Sequence, residues 1–300
     1  MRHGRYRFVA SFLAVPLVLY TVFVVSPYAQ AFYIALTSWN GFTAPKYVGF
    51  ANFTKMFHDD LFWKAVQHNL FLLIALPLVT VVIALFLSFM LNVAGRSRGG
   101  VRTGVWGSKF YRVVFFFPQL LALAIIGVLF QQIMRPDESG AINGPLHLIG
   151  IGPVGFLTNP TIAMWSLVGV LVWQAVGFYV VLFSAGMSNI PQEIYEAADL
   201  DGAGRFNMFF RVTLPLLFDT IQVAWVYLGI AAFDAFALVQ VLTVEQGGPD
   251  GATTVLANEV FKHYLRQAGY AAAIGVALFF LTLTFAALTI RLSRRERIDF

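Results

Sequence analysis

Six apolar runs, each at least as long as a bilayer's hydrocarbon core is thick, leave this chain few folds to choose from. They lie at roughly 8–36, 67–93, 111–135, 162–188, 220–243 and 269–292, and short polar stretches separate them. Inside a bilayer every backbone N–H and C=O must find a partner within the protein, so runs of this length cross as helices. The expected fold is therefore all-α and membrane-embedded, with six transmembrane helices; several runs exceed one bilayer thickness and call for tilt or projecting ends. A soluble domain is excluded on the same ground: 59% of the 300 residues are hydrophobic and only 12% charged, with a mean hydropathy of +0.74.

Orientation follows from where the cations sit. Arg2, Arg5 and Arg7 precede the first run, and Arg96, Arg98, Arg102, Lys109 and Arg112 fill the second gap with no acid among them. Arg291, Arg294, Arg295 and Arg297 follow the last run. Cytoplasmic loops carry this excess, which places both termini inside. The loops at 37–66, 136–161 and 244–268 hold acids such as Asp59, Asp60, Asp137 and Glu138 and so face outward. The net charge of +5 thus reflects orientation and not nucleic-acid binding. A basic start, an apolar run and the triplet Ala29-Gln30-Ala31 also imitate a cleavable secretory signal, but the run is longer than a signal core. Cleavage would leave five spans.

The gap between runs four and five, 189–219, reads as two short helices around a turn. Pro191 suits a first helical turn and Glu193 its positive end; Gly202 ends the first helix and Pro215 the second. Phe206, Phe209, Phe210, Val212 and Leu214 form an apolar surface that needs a cover. Folding back onto the spans or lying in the lipid interface are the plain explanations. Glu193, Glu196, Asp199, Asp201 and Asp219 outnumber Arg205 and Arg211, which disfavours an anionic lipid surface and favours a protein partner.

Glu196-Ala197-Ala198, three residues, Gly202, nine residues, then Val212-Thr213-Leu214-Pro215 resembles the EAA loop of ABC-importer permeases, with every anchor at the family spacing. The resemblance implies a cytoplasmic coupling loop that inserts into a cleft of an ATP-hydrolysing subunit, with Glu196, Ala197, Ala198, Asp201, Gly202, Leu214 and Pro215 as its contact and turn residues. The two alanines also serve plain helix propensity. Gly140-Ala141-Ile142-Asn143, Phe233-Asp234 followed by Leu242-Thr243, Gly247-Gly248-Pro249, and Gly269-Tyr270-Ala271-Ala272-Ala273 resemble carbohydrate permeases of the maltose and glycerol-phosphate type. Such permeases often carry Thr-Gly-Gly-Gly-Pro after the fifth span, where this chain has Thr243 to Pro249 with Val244, Glu245 and Gln246 between. The absence of a glycine-rich tail resembles the larger permease half. What the likeness implies is half of a translocation path for a sugar in a bacterial inner membrane. The implied partners are a second permease subunit forming a heterodimer, two ATP-binding subunits that hold ATP and Mg, and an extracytoplasmic solute-binding protein.

The chain itself shows no phosphate-cradling glycine loop ending in Lys and Ser or Thr; Gly95-Arg96-Ser97-Arg98-Gly99-Gly100 lacks the lysine. It has no cysteine, and its five histidines are scattered. No cofactor, metal or catalytic set is expected, so the chain reads as a non-enzyme. For the solute, stripes at helical spacing supply aromatic faces and amides: Gly169, Trp173 and Gly177 with Gln174 and Tyr179, and Gln222, Trp225, Gly229, Phe233, Phe236 and Gln240 with Tyr227 alongside. The same stripes serve equally as packing seams. Asp234 is the one acid well inside an expected span, a functional candidate because a charge in lipid is expensive. Gln119, Gln131 and Gln132 face a pathway or a neighbouring helix, and Trp39, Trp63, Trp106 and Trp165 read as interface anchors. Three other classes compete less well. An ion-driven carrier would call for internal repeats, of which the sequence shows none, and midplane charges, of which Asp234 is the one candidate. A membrane enzyme would call for several intramembrane nucleophiles, bases or metal ligands, a set the runs lack. An ABC permease for amino acids, peptides or metals is the nearest alternative, but nothing in the runs supplies the charges expected for an amino-acid zwitterion.

Overall fold

The computed structural model describes residues 2–93, 97–98, 101–102, 105–243, 245 and 247–292. Arg96, Arg294, Arg295 and Arg297, used above for orientation, lie outside the described residues, as do Gly95, Gly99, Gly100, Val244 and Gln246. The chain is mostly helical. In order, it contains α1 (Arg2–Tyr20), a π turn (Thr21–Val25), α2 (Ser26–Ala35), β1 (Thr37–Ser38), β2 (Lys46–Tyr47), α3 (Ala51–Phe57) and α4 (Asp60–Asn92). Next come β3 (Ser97–Arg98), β4 (Val101–Arg102), α5 (Ser108–Phe116), a 3-10 turn (Phe117–Leu120), α6 (Leu123–Ile133), α7 (Asn143–Leu148) and α8 (Pro160–Ser188). The remainder is α9 (Gln192–Leu200), α10 (Arg205–Asn207), a second π turn (Met208–Thr213), α11 (Leu214–Leu216), α12 (Phe218–Phe233), α13 (Phe236–Leu242), α14 (Leu256–His263) and α15 (Ala268–Leu292).

Among the described residues, four helical stretches are long and apolar enough to cross a membrane: Ser11–Ala35, Asp60–Asn92, Pro160–Ser188 and Ala268–Arg291. Two bent pairs pass the same test jointly, Ser108–Leu120 with Leu123–Ile133 at 100° and Arg205–Leu216 with Phe218–Phe233 at 71°, so the described residues hold four to six candidate spans. The first bend lies inside an expected straight span, and the second, at Leu217, lies just ahead of run 220–243. Run 111–135 turns at Leu121 and Ala122, which are extended after the 3-10 turn that contains Pro118. Run 220–243 interrupts at Asp234 and Ala235, between α12 and α13. Hydropathy registers neither break, because the breaking residues are flanked by apolar ones.

The chain divides into two compact units, one comprising residues up to Trp63 with Glu259–Leu281, the other Lys64–Asn258 with the residues from Thr282 onward. In the first, Phe32 meets Phe279 and Phe280 edge-on at 5.8 and 5.9 Å, over a small core of Ala35, Ala273 and Val276. Asn52 ties the end of α2 to β1, its amide donating to the carbonyls of Ala35 (2.8 Å) and Thr37 (2.9 Å). A Cβ at Gly269 would lie 1.9 Å from the Thr37 oxygen, which is why the second residue of α15 is glycine. The residues of α1 and α2 from Ser11 on are largely exposed, an apolar surface at home in lipid.

The second unit holds the larger core, built from α4, α6, α8, α12 and α13 around Leu72, Ile126, Leu167, Phe183, Leu228 and Leu238. Small residues let its helices touch: a Cβ at Gly177 would overlap the Phe115 oxygen at 1.8 Å, and one at Gly229 would overlap the Phe285 ring at 2.2 Å. Polar ties cross the same seams. The Gln131 amide donates to the Val241 carbonyl at 2.5 Å. The Asn69 amide donates to Ala232 O (3.3 Å) while its oxygen accepts the Leu256 N–H (2.9 Å). Between α6 and α8, buried Asn143 clamps the connecting loop through Arg135 O (2.6 Å), Val154 O (3.0 Å) and the Val154 N–H (2.9 Å). In that loop the Ser139 hydroxyl and Arg135 hold the Asp137 carboxyl below its ordinary range.

Candidate functional site

The 189–219 loop folds as a helix, a turn and a second helical segment. Pro191 sits at the cap of α9 in extended conformation, one position ahead of the first turn in which it was expected. Glu193 occupies that turn, beside the free amides that favour an anion. The helix stops at a Schellman motif: Ala203 N–H reaches back to Ala198 O (2.9 Å), and Gly202 N–H to Asp199 O (3.0 Å). Gly202 takes φ +78° there, a conformation L side chains rarely adopt.

Side chains divide α9 into two faces. Ile194, buried Tyr195 and Ala198 pack on the core of their own unit. Glu193, Glu196, Ala197 and Leu200 follow at i, i+3, i+4 and i+7 on the open side, with Leu200 90% exposed. Gln192 donates to Glu196 Oε1 at 2.9 Å, which steadies that carboxylate on the open face. Asp201 and Gly202 are exposed at the turn.

The second segment runs through α10, the π turn and α11. Pro215 does not end it as expected; the stretch continues to Leu216, because in the wide π turn Leu214 N–H bonds Phe209 O, five residues back, just before the proline. Phe209 anchors the segment, its ring 5.0 Å from Phe89, and buried Thr213 donates to Met208 O (3.2 Å) with the Tyr195 hydroxyl 3.4 Å away. Leu214 is half-buried and Pro215 exposed. Phe206 and Phe210 lie tilted against each other at 4.4 Å and stay open, Phe206 74% exposed. The exposed patch therefore combines Leu200, Phe206 and Phe210 with Glu193, Glu196 and Ala197. Leu200, the most exposed of its residues, was missing from the motif-based set; its position seven after Glu193 was the available signal.

The seven pathway candidates are spread over α8, α12, the break after α12, and α13. Trp173 stands edge-on to Phe130 of α6 at 5.0 Å, so the broken helix packs against it. Tyr179 is buried against Phe178 and Phe183, within electrostatic range of Tyr227, which is 64% exposed. Gln174 and Trp225 are half-buried. Asp234 lies not within a helix but at the C-terminal cap of α12, exposed in the break. Gln240, on α13, buries an Oε1 without a partner among the described residues. Gly177 and Gly229 belong to packing seams, while Gly169 has open space beside it.

One polar cluster escaped the sequence reading. Arg112 donates to Asn92 Oδ1, Asn92 donates to Ser184 Oγ at 2.8 Å, and Ser88 bonds the Val180 carbonyl at 3.0 Å. Small polar residues inside apolar runs were its only trace.

Residues 92–298 match the sequence family described as binding-protein-dependent transport system inner membrane component. The chain belongs to that family. Among curated relatives of this inner membrane component, the diacetylchitobiose uptake system permease protein NgcF of Streptomyces coelicolor is 42% identical over 296 residues, 97% of this chain and 83% of the relative. The multiple sugar-binding transport system permease protein MsmF of Streptococcus mutans is 31% identical over 294 residues, 95% of this chain and 94% of the relative. In fold the chain is similar to one from a bacterial alginate ABC transporter solved in complex with alginate pentasaccharide-bound periplasmic protein. That likeness has a TM-score of 0.79 at 22% identity, covering 97% of this chain and 96% of the other. It is a likeness of fold alone.

Proposed function

We propose that this chain is one permease half of an ATP-driven sugar importer, and that the open face of the 189–219 loop is where ATP hydrolysis is coupled to transport. The observation that carries the reading is the division of α9, in which the residues at motif spacing are either packed on the chain itself or turned outward as one acidic and apolar patch. Glu196, Ala197, Asp201 and Gly202 offer contacts and close approach; Ala198, Leu214 and Pro215 hold the scaffold. Six spans with both termini in the cytoplasm, the third formed by the bent pair around Leu121 and the fifth by α12 with α13, leave the 189–217 segment outside the bilayer and put this patch on the cytoplasmic side, within reach of an ATP-binding subunit. ATP and Mg reside on two such subunits, and this chain binds neither.

A second, different permease completes the path, and a solute-binding protein delivers the sugar from outside a bacterial cytoplasmic membrane. Trp173, Gln174, Tyr179, Trp225, Tyr227, Asp234 and Gln240 belong to the half-path: Tyr227 and Asp234 are exposed in the single chain, where a mate would close over them. The 42% identity to a diacetylchitobiose permease makes an N-acetylated disaccharide the first solute to try.

The test is a pull-down from detergent-solubilised membranes, with ATPase activity assayed on the recovered complex, comparing wild type with Glu196→Lys plus Gly202→Asp. Wild type should bring an ATPase and a second permease, and the variant should lose or uncouple them. A wild-type chain that purifies alone and still moves solute without ATP would overturn the reading in favour of an ion-driven carrier.

A further inference from the structure

Two recesses in the first unit adjoin each other and differ in character. One, of about 350 Å³, is polar: Thr37, Asn40, Asn52, Lys55, Arg266 and Gln267 line it, and no carboxylate does. Lys55 uses one of its donors on Gln267 Oε1 (2.6 Å) and lies 4.3 Å from the centre of the Tyr270 ring. Of the nearby acids, Asp59 accepts the hydroxyl of Tyr270, itself a lining residue, and Glu259 is paired with Lys262 at 2.9 Å. The other recess, of about 600 Å³, is apolar, lined by Pro27, Ala31, Ile34, Ala271, Ala272 and Gly275 among others and by no charged residue. Trp39 and Asn40 border both.

We infer that the two recesses together hold one anionic phospholipid of the outer leaflet, its phosphate between Lys55 and Arg266 and an acyl chain along the groove. Cations without a lining acid select an anion. A free anion would leave the apolar groove unused, and a neutral sugar would not need two cations. Only an amphiphile uses both. Depth agrees: from Ala268 to Gly275 the helix descends about 10 Å at 1.5 Å per residue, within the roughly 15 Å of hydrocarbon in one leaflet. Trp39 stands at the junction, where an indole favours the membrane–water interface. The groove is also open where a chain would lie, since a Cβ at Gly275 would meet nothing within 4 Å. The assignment uses the outward orientation of the 37–66 and 244–268 loops and does not depend on which solute is carried.

The experiment takes the purified transporter complex from nanodiscs containing phosphatidylglycerol and phosphatidylcholine and measures lipid retained through detergent exchange by mass spectrometry. Wild type should retain phosphatidylglycerol over phosphatidylcholine. Lys55→Gln with Arg266→Gln, both exposed positions, should lower that retention roughly thirtyfold, from about 1 kcal/mol for each of the two cations near an anionic surface. Gly275→Leu, which fills the groove, should lower it comparably with the cations intact; unchanged elution and thermal midpoint establish that each variant is folded. Equal retention of the two lipids, or retention unaffected by Gly275→Leu, overturns the proposal. Inorganic phosphate binding equally to wild type and Gly275→Leu, with no preference for the lipid, would mark a simple anion site and also overturn it. Because the chain has no cysteine, Gly275→Cys gives a unique cross-linking position; efficient cross-linking there to the second permease would assign the groove to a protein helix instead.

Discussion

Replacing Gly202 by alanine isolates the backbone contribution to the 189–219 loop. A Cβ at this position meets nothing within 4 Å, so alanine introduces no clash. What it introduces is a side chain at φ +78°, a left-handed conformation that costs an L residue about 1–2 kcal/mol. That strain is relieved only by opening the Schellman motif, whose bonds run from Ala203 N–H to Ala198 O and from Gly202 N–H to Asp199 O. A shift of about 1–2 kcal/mol changes the open population roughly 5- to 30-fold, and hydrogen exchange at the Ala203 amide of the purified complex should accelerate by that factor. Gly202→Asn should accelerate it much less, because asparagine tolerates the left-handed region. Solute-stimulated ATPase activity should fall in the same order, alanine below asparagine below wild type, if the turn holds the coupling face in register. Exchange at Ala203 within twofold of wild type in the alanine variant would refute the argument. So would an asparagine variant as disturbed as the alanine one, since the cause would then be lost contact and not backbone strain.

Other positions carry shorter tests. Gly177→Val should lower the thermal midpoint of the purified chain and loosen α5 from α8, because its Cβ would overlap the Phe115 oxygen at 1.8 Å; overpacking of this kind costs about 1–3 kcal/mol or more. Asn69→Leu leaves the Leu256 N–H and the Ala232 carbonyl without their partner, a loss of roughly 1–3 kcal/mol, seen as faster exchange at the Leu256 amide. Leu200→Ser with Phe206→Ser should leave the thermal midpoint unchanged, since the two side chains are 90% and 74% exposed, yet should reduce recovery of the ATPase subunit. Acid should loosen the turn at residues 135–139: Asp137 is held below its ordinary 3.8, so its contribution is present above that value and vanishes as pH falls through the lowered one. Exchange at the Ser139 amide, which donates to Asp137 at 3.0 Å, would report it, and an unchanged pattern down to the lowest accessible pH would contradict it.

The long apolar runs were legible because hydropathy and length report a sum over many residues, and the sum is insensitive to any one of them. The breaks were not, for the same reason. Pro118 sits in a run of phenylalanines and leucines, and Asp234 between Phe233 and Ala235; window averages pass over both. Yet both mark interruptions of runs that were expected to be straight. The difference changes what Asp234 means. Within a continuous helix it would be a buried charge needing a partner; at the cap of α12, in an interruption of the helix, it is an exposed polar group that water or a solute can reach.

The motif in the 189–219 loop was legible as a pattern, but its division into an inner and an outer face was not, because spacing alone does not say which side of α9 the rest of the chain occupies. Packing decides that. Tyr195 and Ala198 are drawn to the core beside Phe209 and Thr213, and the 3.6-residue repeat then leaves Glu193, Glu196, Ala197 and Leu200 outward together. A partner that read the acidic residues alone would tolerate Leu200→Ser, whereas one that buries the apolar patch would not. The two docking modes therefore separate on a residue that the motif does not contain, and comparing Leu200→Ser with Glu196→Gln in the same pull-down decides which of them moves the chain.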